Sequence, residues 1–117
     1  HCYPNLSVFF DEVYKVLKPD GYFLYADFRS QKNLLSVEEN IRKSKFKVVA
    51  LHNITENVVK ALKIDNDRRI NLIKQLVPRL FHAPVCAFAG TTGSMTYKSF
   101  ESGWNKYYFY ILKKENL

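Results

Sequence analysis

Apolar and polar positions alternate along the chain with two periods. Leu6, Phe9, Phe10, Val13, Val16 and Leu17 recur at helical spacing, with Asp11, Glu12 and Lys15 on the opposite side. Pro4 and Asn5 stand ready to open that helix, and Pro19 stops it, because proline lacks an N–H and restricts the residue before it. Asp20-Gly21 supplies a turn. Tyr22 to Ala26 is then a continuous apolar run closed by Asp27, the pattern of a strand covered on both faces.

Further along, Arg29 to Leu35 reads as a polar connection. Ser36-Val37-Glu38-Glu39 fits a capping box, which predicts a short helix to about Ser44. Phe46 to Ile54 is β-branched and partly alternating, a second strand. Thr55 caps a helix through about Lys63, and Asp65-Asn66-Asp67 punctuates it. Ile70, Ile73, Leu76 and Val77 mark another helix, ended by Pro78. Leu80 to Ala89 is apolar and broken by Pro84, which predicts one bent helix or two short turns. Ser94 caps a last helix that Gly103 ends. Tyr107, Phe109 and Ile111 alternate with Tyr108, Tyr110 and Leu112, a final buried strand. A strand, a helix and a second strand in one sheet favour a parallel, right-handed crossover. The expected class is α/β, with a helical block of residues 55–104 before the last strand.

Composition narrows the picture. The 117 residues suffice for one small domain, and 47% hydrophobic content suffices for a core. No apolar run approaches the roughly 18 residues a membrane span needs. The formal charge of +7 admits nucleic acid or an anionic membrane surface as partner. The basic residues are dispersed, however, around Arg42 to Lys47, Arg68 to Arg79 and Lys113-Lys114, and read as solvated faces without the aromatic interleaving of an RNA-binding signature. Cys2 and Cys86 are too few and too far apart for a disulfide framework or zinc site, and no metal is expected. Reduced thiols fit a cytoplasmic protein.

The stretch Leu17-Lys18-Pro19-Asp20-Gly21, followed by Tyr22-Phe23-Leu24-Tyr25-Ala26-Asp27-Phe28, resembles the late segment of the Rossmann-like (class I) S-adenosylmethionine-dependent methyltransferases of the small-molecule type. There a helix leads through L-[KR]-P-G-G into the fifth strand, and Asp20 stands at the first of the two glycines. The resemblance implies that residues 1–117 are the carboxyl-terminal part of one methyltransferase domain. Its fifth, sixth and seventh strands would be Tyr22–Phe28, Phe46–Ile54 and Lys106–Leu112, the last inserted beside the fifth and antiparallel to the sixth. Residues 55–104 would be a substrate-side insertion. The methyl donor would be S-adenosylmethionine, and the substrate a small, apolar, hydroxylated metabolite. Gly21, Gly90, Gly93 and Gly103 make no Gly-rich turn after a strand, so the cofactor-binding half would lie outside these residues.

The same resemblance places His1 in a loop of the form E-x-x-H-x-Y-P facing the transferred methyl. A histidine suits removal of a hydroxyl proton, because its pKa lies near neutrality. Tyr3 would line that site. Asp27, at the strand's carboxyl end, is either a substrate contact or a carboxylate bonded to loop N–H groups or to Arg29. Tyr97 could line an apolar pocket in the helical block, and His52 and His82 read as packed or surface residues. Two other function classes stay open: a non-catalytic module that forms a homodimer through an exposed sheet edge, and a basic nucleic-acid-binding domain, against which the dispersed charges speak.

Overall fold

A computed structural model describes residues 3–116. They fall into two compact units, one built from the residues up to Asn53 together with those from Lys106 onward, the other Ile54–Asn105.

In the first unit α1 (Leu6–Val16) opens at Asn5, whose side chain accepts the Val8 N–H at 3.2 Å. It presents Leu6, Phe9, Phe10, Val13 and Tyr14 to the core, while Val16 points to solvent. The turn that follows has two requirements. Asp20 takes a left-handed backbone with φ 60°, a conformation that glycine adopts freely and Asp tolerates. At Gly21 a Cβ would meet Lys18 O at 2.8 Å and Leu17 Cγ at 2.9 Å, so no side chain fits.

Strand β1 (Tyr22–Ser30) then runs directly into α2 (Gln31–Lys43). This corrects the expected start of α2. Ser36 lies inside the helix instead of capping it, and its carbonyl accepts from Asn40 Nδ2. The helix begins earlier, at Gln31, because Leu34, Val37 and Ile41, spaced three and four apart, are all buried. Ser44 closes it, its hydroxyl donating to Ile41 O at 2.6 Å.

Strand β2 (Lys47–Asn53) and the last strand β3 (Asn105–Lys113) complete a three-stranded sheet of order β1-β3-β2. β2 and β3 are antiparallel, with Val48 opposite Leu112, Leu51 opposite Tyr110 and Asn53 opposite Tyr108. An irregularity between Val48 and Ala50 leaves one extra residue on β2. β1 is antiparallel to β3 as well. Lys114 N–H donates to Gly21 O at 2.9 Å at one end, Tyr25 and Tyr110 rings lie 6.1 Å apart mid-strand, and Phe28 and Tyr107 lie 5.7 Å apart at the other. β1 and β2 are therefore parallel to each other with β3 between them, the order expected of a fifth, seventh and sixth strand.

One face of the sheet holds the core: Phe10, Val37, Ile41 and Phe46 against Tyr25, Tyr110 and Leu112. The two-sided covering expected of β1 is not present among the described residues. Tyr22 and Leu24 are 56% and 59% exposed, because both helices pack on the face that Phe23 and Tyr25 share. Lys114 ties the two ends of the unit together. Its ammonium donates to Tyr14 O at 2.6 Å and Leu17 O at 2.8 Å, satisfying carbonyls that the end of α1 leaves open, and sits 4.7 Å from the Tyr14 ring.

The second unit is helical: α3 (Thr55–Ile64), α4 (Asn66–Leu76), a 3-10 turn (Arg79–Phe81), α5 (His82–Ala89) and α6 (Met95–Glu101). Pro84 sits in the first turn of α5, where its missing N–H breaks nothing. Gly90 ends that helix in the left-handed region, φ 64°, and Ser94 caps α6 by accepting Tyr97 N–H at 3.2 Å. Ile73, Tyr97 and Phe100 are its buried apolar side chains.

Candidate functional site at the carboxyl end of the first strand

The carboxyl end of β1 carries a closed polar group. Alternation along the strand puts Tyr25, Asp27 and Arg29 on one side. Asp27 Oδ2 accepts from the Tyr25 hydroxyl at 2.9 Å and from Arg29 Nε at 3.0 Å, while Oδ1 accepts the Phe28 N–H at 2.8 Å. Burial alone would raise the Asp27 pKa. Hydrogen bonding, including that from Tyr25, and the Arg29 charge outweigh it, so the carboxyl is held below its ordinary value. Tyr25 moves the other way: burial first, then its bond to the carboxylate, push its hydroxyl well above the usual tyrosine range. Asp27 is thus an ionised acceptor and Tyr25 a permanent donor.

Arg29 also faces a pocket. A polar cavity of about 310 Å³ is lined by Tyr3, Asn5, Arg29, Ser36 and Asn40, among others. The Tyr3 ring is stacked on Phe9 at 3.8 Å, which holds it against the cavity it lines. Arg29 Nη2 is buried and has no hydrogen-bond partner among the described residues.

Tyr3 and Arg29 line the same cavity, and Asp27, which bonds Arg29, is not among its lining residues. His1 lies outside the described residues. Tyr97 belongs to the helical unit and is buried in its packing, where burial and then a bond to Glu101 raise its pKa. It is not among the residues lining that unit's own cavity of about 270 Å³, which include Thr55, Val59, Lys60, Phe100 and Glu101. His52 is exposed, its ring 6.3 Å from that of Phe109, and His82 Nε2 bonds Val77 O at 2.7 Å, so the first is a surface histidine and the second is held by the backbone of its own unit. Among the described residues no three His, Cys, Asp or Glu side chains converge as a metal site.

Arg29, Ser36 and Asn40 carry no sequence signal of their own. A lone arginine after a strand is ordinary until the cavity beside it is seen. Ser36 and Asn40, four apart on one helix face, gain a meaning only once the helix is known to include both.

These features define the class. Fold and strand order are those of the carboxyl-terminal half of the Rossmann-like S-adenosylmethionine-dependent methyltransferases. No protein-family model matches the chain. It is 26% identical over 98% of its length to the phthiotriol/phenolphthiotriol dimycocerosates methyltransferase of Mycobacterium tuberculosis, and spans 43% of that protein. It is 30% identical over 68% of its length to a fatty-acid O-methyltransferase of Mycolicibacterium smegmatis, spanning 29% of it. A solved structure assigned as a sarcosine dimethylglycine methyltransferase of Galdieria sulphuraria superposes with a TM-score of 0.74 at 13% identity, over 97% of this chain and 49% of that one. The chain has the fold of the carboxyl-terminal half of these methyltransferases. It spans less than half the length of the curated relatives it matches.

Proposed function

We propose that the protein to which this chain belongs transfers a methyl group from S-adenosylmethionine to an oxygen of a small, apolar, hydroxylated metabolite. The observation that carries this reading is the match over 98% of the chain to a methyltransferase named for phthiotriol dimycocerosates.

None of the four glycines makes a Gly-rich turn after a strand: Gly21 lies before β1 and packs against Leu17 and Lys18, and Gly90 ends α5. What these residues supply is the acceptor side. In-line placement of an acceptor oxygen provides much of the rate in transfers of this kind, so binding and orientation are the main demand. Tyr3 walls the pocket, and Arg29, held in place by Asp27, offers its spare N–H to an oxygen of the acceptor. His1 is the group assigned to hold the hydroxyl proton. The helical unit, residues 55–104, serves as the substrate-side insertion, with Tyr97 supporting it from within.

The test uses the full-length protein, a radiolabelled methyl donor and three acceptors: a long-chain alcohol, a fatty acid and RNA. Label in the alcohol or the acid supports the reading, the alcohol being the expected acceptor. Label in RNA alone overturns it.

A further inference from the structure

The polar cavity of the first unit draws its lining from separate stretches of chain. Tyr3 and Asn5 come from the entry to α1, Arg29 from the end of β1, and Ser36 and Asn40 from α2. Asp27 takes the Nε side of the Arg29 guanidinium, at 3.0 Å. Nη2 is buried and has no hydrogen-bond partner among the described residues. A buried donor on an ionised group is costly to leave unpaired, more so than a neutral one, so its position calls for an acceptor. The other polar lining residues add donors. Ser36 has a hydroxyl. Asn40 Nδ2 donates to Ser36 O at 2.7 Å and keeps a second N–H, and Asn5 uses its carbonyl oxygen on the Val8 N–H and keeps its amide nitrogen.

The lining also sets the charge of what it can hold. Among the described residues no aspartate or glutamate lines the cavity, and Arg29 is a cation that does. A cationic ligand would find no carboxylate there to pair with. A carboxylate matches the planar fork of Nη1 and Nη2 and takes charge-assisted bonds from it, where a neutral hydroxyl takes ordinary ones. Asp27 limits the number of negative charges. It already offsets Arg29 in a largely buried pair, so one more negative charge can be shared among the donors. A phosphate dianion would bring a second with no counter-ion in the lining. A carboxylate held in this way is a poor methyl acceptor, because the donors engage its lone pairs.

We propose that this cavity anchors a carboxylate of the methyl acceptor on Arg29, Ser36 and Asn40, so that the acceptor is a hydroxy acid whose hydroxyl, and not its carboxylate, receives the methyl. This rests on the methyl transfer assigned above, and the experiment reads binding apart from turnover.

The experiment uses the full-length protein with S-adenosylhomocysteine, the donor less its methyl group, and calorimetric titration of two probes: a long-chain terminal hydroxy acid and the diol of equal length. The acid is expected to bind about tenfold or more tighter than the diol, the difference between charge-assisted and neutral hydrogen bonds. Arg29→Gln removes most of that ratio. It also strands Asp27, so Ser36→Asp gives a second reading. Ser36 is exposed, the fold tolerates the change, and a carboxylate added to the lining lowers the ratio of acid to diol binding by about tenfold. Equal binding of acid and diol, or a ratio that survives in either folded variant, overturns the proposal. Weaker binding of S-adenosylhomocysteine by Ser36→Asp overturns it as well, because the anion held there is then the carboxylate of the methyl donor. Turnover with radiolabelled donor is read separately. The expected product from the hydroxy acid is its methyl ether. A methyl ester overturns the anchoring role and leaves methyl transfer standing. Acid binding that depends on Arg29, with no methyl on either oxygen, supports the carboxylate site and overturns the transfer reaction instead.

Discussion

Arg29 Nε and the Tyr25 hydroxyl both donate to the same oxygen of Asp27, at 3.0 and 2.9 Å. The pair Arg29–Asp27 is largely buried, with side-chain exposures of 19% and 11%. A charge pair of this kind contributes little over an apolar pair, yet losing one partner strands the other. Asp27→Asn therefore destabilises the protein by about 2–4 kcal/mol, and Tyr25→Phe by about 1 kcal/mol, because the carboxylate keeps its other donors. Denaturant unfolding of the two variants checks the order.

The same carboxylate gives a pH dependence. Its pKa is lower in the folded protein than in the unfolded chain. The stability it contributes is present above the unfolded carboxylate pKa, about 4, and is lost as pH falls through the lower folded value. Thermal melts of parent and Asp27→Asn are thus expected to differ most at neutral pH and to converge in acid below about pH 4.

The turn before β1 gives a steric test. Gly21→Ala places a Cβ under 3.0 Å from Lys18 O and Leu17 Cγ and costs about 1–3 kcal/mol. Asp20→Gly, at φ 60°, relieves backbone strain but removes the ion pair with Lys113 at 3.3 Å, and stays within about 1 kcal/mol of the parent. Asp20→Val, β-branched at positive φ, falls clearly below both. Thermal unfolding of the three variants reads the series.

Lys114 lies at the far end of the chain from the helix it caps. Lys114→Met keeps the apolar stem and removes the donors to Tyr14 O and Leu17 O, which costs about 1–2 kcal/mol. Hydrogen exchange in the last turn of α1 rises first.

Much of this is legible in the residues because local chemistry decides it. Asn5, Pro19, the Asp20-Gly21 turn and Ser94 each act within a few positions of themselves, and each stands where its side chain predicts. The start of α2 is not, because Ser36 and Glu39 have the spacing of a capping box, while the burial of Leu34 that extends the helix is a tertiary fact. An uninterrupted apolar run does not say how many of its faces are covered, which is why Leu24 and Phe88 emerge exposed. The cavity beside Arg29 depends on separate elements and has no counterpart in any short stretch. Strand order follows from the resemblance, since nothing in β3 itself says that it enters between the other two.

The most direct measurement is methyl transfer by the full-length protein from a radiolabelled methyl donor, followed by extraction of the products into organic solvent. Label carried into the organic phase as a methyl ether of the long-chain alcohol, and reduced by His1→Gln and by Arg29→Gln, is the predicted result. Label confined to protein or nucleic acid, or no transfer from a folded protein that binds the donor, contradicts it.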